Sequence, residues 1–286
     1  MSLRVTVAHA CQRAGRGGSP TAVVDETSLS DAERCAVPVA AGTSHVVFIS
    51  TEEHASGRPA VSLRFFTAAG ELPACGHGTV AALAVLAERG RTREYEAVLR
   101  SGGRTFLGQA TGGGDRYEAA FDPGPVQLRV PATTDSQPVL SALGIDPEEA
   151  SAQCRIASVG RPRMLVQVFD REVLADLTPD MTRLREACDQ LGLLGCYVYS
   201  TPSPDRRATA RMFAPSTGVP EDIANANSTA CLAAHLADHG LSALDVDMGD
   251  SLGEPSTIIA TTRPGPGGPL VRVGGTATIT TDISLT

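Results

Sequence analysis

One segment of this chain occurs twice, and each copy leads into a short apolar stretch with helical character. The first copy reads Arg64-Phe65-Phe66, Pro73, Gly76-His77-Gly78-Thr79 and then VAALAVLAERG. The second reads Arg211-Met212-Phe213, Pro220, Glu221-Asp222, Asn225-Ala226-Asn227-Ser228-Thr229 and then ACLAAHLADHG. Arg64/Arg211, Phe66/Phe213 and Pro73/Pro220 are 147 positions apart, whereas Thr79/Thr229, Ala84/Ala234, Leu86/Leu236 and Gly90/Gly240 are 150 apart. Two matched registers separated by a short insertion are hard to obtain by chance. The period is far too long for a solenoid, so the chain is read as two similar halves related by an approximate two-fold axis, 1–124 and 125–286. Equivalent helix starts are then expected to face each other across one cleft.

Ala, Leu and Val occupy nearly all faces of both repeat helices, from about Gly78 to Arg89 and from about Ser228 to Asp238, and a helix that is apolar all round is a buried one. Many short strand-like segments flank each helix. The first half offers Arg4–Ala10, Thr21–Val24, Ser44–Ser50, Val61–Phe66, Tyr95–Arg100, Arg104–Gln109 and Arg116–Phe121, with a short helix from Ser28 to Cys35. The stretch from Asp122 to Pro138, rich in Pro, Thr and Ser, reads as the crossover. The second half has short helical pieces at 139–143 and 147–152, a helix over 182–191, and separate closing strands at 256–262, 270–273 and 277–281. The expected class is α+β: two pseudo-symmetric halves, each a curved, mostly antiparallel sheet wrapped around a central helix.

Composition narrows the function. With 42% hydrophobic and 20% charged residues and a net charge of -8, the chain suits a soluble protein and not a nucleic-acid binder. Apolar runs such as Val80–Ala87 are too short to span a membrane, and Val5–Ala8 is too short for a secretory core, so a cytoplasmic location is expected. Seven cysteines without a C-x-x-C pair suggest neither a disulfide framework nor a zinc ribbon. All 24 basic residues are arginine; with no lysine, pyridoxal phosphate and Walker-type nucleotide chemistry are excluded.

A helix N-terminus presents backbone N–H groups and a partial positive charge, so two of them serving one cleft would bind a carboxylate and stabilise the charge that develops when a neighbouring carbon loses a proton. His77 stands at the first helix start; Glu221 and Asp222 stand at the second, where Asp222 also reads as a plain N-terminal helix acid. Asn225 and Asn227 are either caps or amides that orient a substrate. Cys75, just ahead of the first cap, occupies a position that favours a thiolate, but the second cap has no cysteine, so a two-thiol racemase mechanism is excluded and Cys75 reads as core or supporting.

SHVVF at 44–48, LRFFTAAGELPACGHGT at 63–79 and RMFAPSTGVPEDIANANSTACLAAHL at 211–236 resemble the phenazine-biosynthesis PhzF-like isomerases, which share the diaminopimelate epimerase fold; GGSPTAVV at 17–24 and ASVGRPRMLVQV at 157–168 extend the likeness over nearly the whole chain. The resemblance implies an isomerase that moves a proton, and with it a double bond, in a small unsaturated carboxylic acid, without metal or organic cofactor. It implies that His77 corresponds to the family histidine and that Glu221 and Asp222 correspond to its Glu-Asp pair. The family's proton-shuttling glutamate falls on His45, and its Ser hydroxyl in the second cap falls on Asn227. His45, His77 and Asp222 are therefore the candidate catalytic residues, with Ser44, Gly76, Gly78, Thr79, Glu221, Asn225 and Asn227 as candidate substrate contacts and no metal ligands. The altered cap implies a divergent member in secondary metabolism, of the kind acting in 4-alkyl-proline (lincosamide-type) antibiotic pathways, with a homodimer as the expected assembly. An epimerase or dehydratase on the same scaffold, or a non-catalytic binding homologue, are the alternative readings.

Overall fold

The computed structural model describes residues 2–52, 57–147 and 153–285. They form two compact units: Met1–Pro123 with Glu254–Thr257 and Arg272–Thr286, and Gly124–Gly253 with Ile258–Val271. Each has the α+β character expected, a sheet built around one buried helix.

The first unit contains β1 (Leu3–Gln12), β2 (Ser19–Asp25), α1 (Asp31–Ala40), β3 (His45–Glu52), β4 (Ala60–Thr67), β5 (Gly70–Leu72), α2 (Gly76–Arg89), β6 (Glu94–Ser101), β7 (Arg104–Gly113) and β8 (Arg116–Phe121). Pairing runs from β1 to β2 antiparallel, β2 to β3 parallel, β3 to β4 antiparallel, β4 to β6 parallel, and on through β7 and β8 antiparallel. In β6 and β8 one face is buried, with Ala97, Leu99 and Ser101, and Tyr117, Ala119 and Phe121, turned inward. The inner face packs around α2, whose residues from Gly76 to Ala87 are all buried. Small strand residues let the sheet come close: a Cβ at Gly108 of β7 would lie 2.6 Å from Leu99 and 3.0 Å from Leu83 of α2.

The second unit contains β9 (Gln127–Arg129), α3 (Thr133–Leu143), β10 (Arg155–Val159), β11 (Arg161–Val168), α4 (Arg171–Asp176), α5 (Met181–Gln190), β12 (Cys196–Ser200), β13 (Arg207–Ala214), β14 (Val219–Asp222), α6 (Ala226–Ala237), β15 (Ala243–Met248) and most of β16 (Ser256–Arg263). The succession β2–β3–β4–β6, parallel then antiparallel then parallel, returns as β11–β12–β13–β15, and the short β5 and β14 fold back on β4 and β13 respectively. The helix α6 holds the place of α2 and is buried from Ala226 to Leu236. A second core lies among α3, α4, α5 and the strands β10–β12, built by Val139, Leu140, Leu143, Leu174, Leu184 and Val166.

Two expectations change. The last strand, β17 (Leu270–Leu285), is continuous rather than two strands, and from Arg272 it pairs with both β1 and β8, so these residues belong to the first unit and close its circuit of strands. The Gly274-Gly275 pair marks close approach, since a Cβ at Gly274 would stand 2.1 Å from the Ala119 carbonyl oxygen. The crossover region contains β9 and the first turns of α3 despite Thr133, Thr134 and Pro138, because Ser136, Val139, Leu140, Ala142 and Leu143 are buried and burial outweighs their weak helix propensity. Residues 148–152 of the expected helical piece lie outside the described residues.

Candidate active site

The candidate residues form two groups, one per unit, and in each the same cap geometry recurs. Cys75 precedes α2 in an extended conformation; its Sγ accepts from the Gly78 N–H at 3.4 Å, and its carbonyl accepts from the Thr79 N–H at 3.0 Å and the Thr79 hydroxyl at 2.8 Å. Asn225 precedes α6; its Oδ1 accepts from the Ser228 N–H at 2.9 Å, and its carbonyl accepts from the Thr229 N–H at 3.0 Å and the Thr229 hydroxyl at 3.2 Å. Both caps satisfy donors that a helix start leaves without intrahelical partners. The Thr79 hydroxyl, expected to touch substrate, is thus engaged by its own helix. The Thr229 hydroxyl also meets the buried Tyr197 hydroxyl at 2.7 Å.

Beside the first cap, the structure brings His45 and His77 together. Their ring centroids are 4.4 Å apart, edge to face, and both side chains are buried. The His77 Nε2 lies 3.2 Å from the Cys75 Sγ, and the His45 Nδ1 lies 2.9 Å from the Ser44 Oγ. His45 opens β3, where its partner across the ladder is Thr21 and Val46 pairs with Phe66, so the repeated Arg-x-Phe strand also positions this histidine. Burial, with the neighbouring His77, holds the His45 imidazole well below its ordinary range, and it is neutral at neutral pH. A neutral imidazole is an acceptor for a carbon-bound proton.

In the second unit, Asp222 ends β14, opposite Met212, and its Oδ2 accepts from the Asn225 Nδ2 at 3.0 Å. Asn225 is therefore the cap and the orienter of Asp222 at once. Asn227, in the first turn of α6, is buried at 8% exposure. Glu221 behaves differently from its expected substrate role. Arg211 grips it through two parallel hydrogen bonds of 2.8 Å, and Ser251 donates to it as well. Arg64 grips Glu71 in the same way, at 2.9 and 2.8 Å, and each guanidinium lies over the repeat phenylalanine, 5.0 Å from Phe66 and 4.7 Å from Phe213. The repeated Arg-x-Phe thus builds a duplicated brace that fixes each strand return ahead of the helix. The cluster of His45, Cys75 and His77 is not visible from spacing, since Cys75 and His45 are distant in sequence; the only local signal is Cys75-Gly76-His77.

Two strand-wrapped helices, with acid–base side chains at their starts, define a protein of the PhzF-type α+β fold, which is also that of proline racemases. The chain belongs to the phenazine biosynthesis-like protein family, whose pattern it matches over residues 11–282, and it is an isomerase. It is 25% identical over 259 residues to the uncharacterized isomerase YddE of Salmonella typhimurium, with 86% of this chain and 85% of that protein covered. It is 28% identical to the trans-2,3-dihydro-3-hydroxyanthranilate isomerase of Pseudomonas fluorescens, with 69% of each chain covered. The solved structure of a PhzF family protein from Bacillus anthracis superposes with a TM-score of 0.82 at 17% identity, covering 100% of this chain and 99% of the other.

Proposed function

We propose that the protein is a cofactor-independent isomerase that relocates a proton and a double bond in a small unsaturated carboxylic acid. The observation that carries this reading is the edge-to-face contact of His45 and His77 at the start of α2. His45 takes an allylic or α proton through its neutral imidazole; the electron pair left on carbon delocalises toward the substrate carboxylate, and the imidazolium returns the proton at the conjugated carbon. The backbone N–H of Gly76 at the start of α2 holds the carboxylate and stabilises the delocalised charge. Asp222, oriented by Asn225, is the corresponding acid–base candidate at the start of α6, a reading supported by the internal duplication. Ser44 sets the His45 tautomer. Thr79 and Glu221 brace the helix starts from within.

The substrate we favour is an unsaturated cyclic amino acid of the 4-alkyl-proline type, in a secondary-metabolite pathway; the Asn227 amide in the second cap is the feature that supports it. Incubation with such acids in deuterated water tests the assignment. A shifted diene absorbance with one deuterium gained is the expected result. Deuterium gain at the α carbon without movement of the double bond would replace isomerisation by epimerisation, and tight binding with neither change would leave only a binding protein.

A further inference from the structure

We propose that His45, Cys75 and His77 form a Zn2+ site at the start of α2, and that the ion, once bound, silences the proton transfer these side chains perform. One ligand atom from each of the three residues lies within 4.8 Å of the other two, and all three are buried. In a tetrahedral zinc site, with bonds of about 2.0–2.3 Å, neighbouring ligand atoms stand roughly 3.3–3.7 Å apart. The Cys75 Sγ and His77 Nε2, at 3.2 Å, already stand close to that edge, and the His45 ligand atom lies within 4.8 Å of both.

Two further contacts match what a metal site requires around its ligands. The Ser44 Oγ meets the His45 Nδ1 at 2.9 Å, and when Nδ1 carries the proton the lone pair resides on Nε2. The Gly78 N–H points at the Cys75 Sγ from 3.4 Å and holds the sulfur at the helix start. A thiolate and two neutral imidazoles are borderline-soft donors, and Zn2+, which has no geometric demand of its own, accepts angles set by a helix cap. Binding releases the thiol proton of Cys75 to solvent, changes no oxidation state and leaves one coordination position for water. The nitrogen lone pairs that would take a substrate proton are then held by the ion. The metal site stands on geometry alone; only the silencing rests on the isomerase reading.

The test uses the full chain, stripped with a chelator and titrated first with Co2+ as a spectroscopic probe and then with Zn2+. The expected result is one equivalent of Co2+ per chain, a sulfur-to-cobalt charge-transfer band, and displacement of that band by one equivalent of Zn2+. Cys75→Ser should remove the band, His45→Gln should weaken binding by more than tenfold, and Ser44→Ala by about tenfold. Cys35→Ser, at a thiol in α1 that is not one of the three clustered residues, should leave it intact. Circular dichroism checks that each variant folds, and the wild-type spectrum decides the question if one does not. A wild-type cobalt spectrum without a thiolate band, a band that survives Cys75→Ser, or a stoichiometry far below one overturns the site. Metal binding with undiminished turnover on a processed substrate overturns the silencing alone.

Discussion

His45 and His77 meet edge to face with their ring centroids 4.4 Å apart, although they come from the first residue of a strand and the first turn of a helix. The contact places two imidazoles beside a helix start in a buried setting. His45→Gln keeps the size and polarity of the side chain but removes its basicity. It should lower kcat by about 10²–10⁴-fold with KM changed far less. Deuterium exchange into substrate, followed by mass spectrometry, is the direct measurement.

The duplicated Arg–Glu brace should contribute unequally in the two units. Arg211 and Glu221 are 12% and 11% exposed, against 37% and 40% for Arg64 and Glu71. Arg211 also donates to the carbonyls of Leu174 and Leu177. Arg211→Met should therefore cost about 3 kcal/mol of stability, because it strands a largely buried carboxylate. Arg64→Met should cost less than about 1 kcal/mol, because water reaches the pair it breaks. Urea denaturation of the two variants compares them directly.

Stability should fall on mild acidification through His235 near the end of α6. Burial, then the Arg155 guanidinium and the His239 ring, push its imidazole down to about 4, against a smaller opposing pull from Asp238. The unfolded chain takes up this proton first, near the ordinary value of about 6.5. The contribution of His235 is thus fully present above about pH 6.5 and is lost progressively as the pH falls toward 4. Denaturation curves at about pH 7 and about pH 4.5 should differ less in His235→Gln than in the parent chain.

Gly78→Ala probes the cap of α2. The added Cβ would stand 3.0 Å from both the Cys75 Sγ and the Phe65 ring, so one of them must move. The expected cost is about 1–3 kcal/mol, with a disturbed Cys75–His77 contact and reduced turnover. The matching change in α6, Ser228→Ala, adds no atom and should leave the fold intact, with only the loss of the Ser228 hydroxyl contact to the Met212 sulfur. Thermal melts of the two variants separate crowding from simple substitution at a cap.

Both central helices and their starts were legible in the sequence because the duplication supplied each with an independent copy, and an all-round apolar pattern needs no tertiary knowledge to read. The Arg64–Glu71 and Arg211–Glu221 pairs were equally available: Glu71 and Glu221 share the 150-residue offset, a signal that identifies Glu221 as a brace. The approach of His45 to His77 and Cys75 was not legible, because it depends on parallel pairing of β2 with β3 and on where β3 begins relative to the helix cap. The continuity of β17 was hidden for a related reason. Its Gly274-Gly275 pair reads locally as an interruption, whereas in the folded chain it admits the backbone of β8.

That same strand bears on how the protein is made. Residues 272–285 leave the ribosome only after the whole second unit has been synthesised, yet β1 and β8 remain unjoined until they arrive. Nascent chains stalled before that point therefore carry a finished second core beside a first one with two raw edges, so the earlier-born half is the later to mature. Chaperone engagement during translation should be concentrated on it.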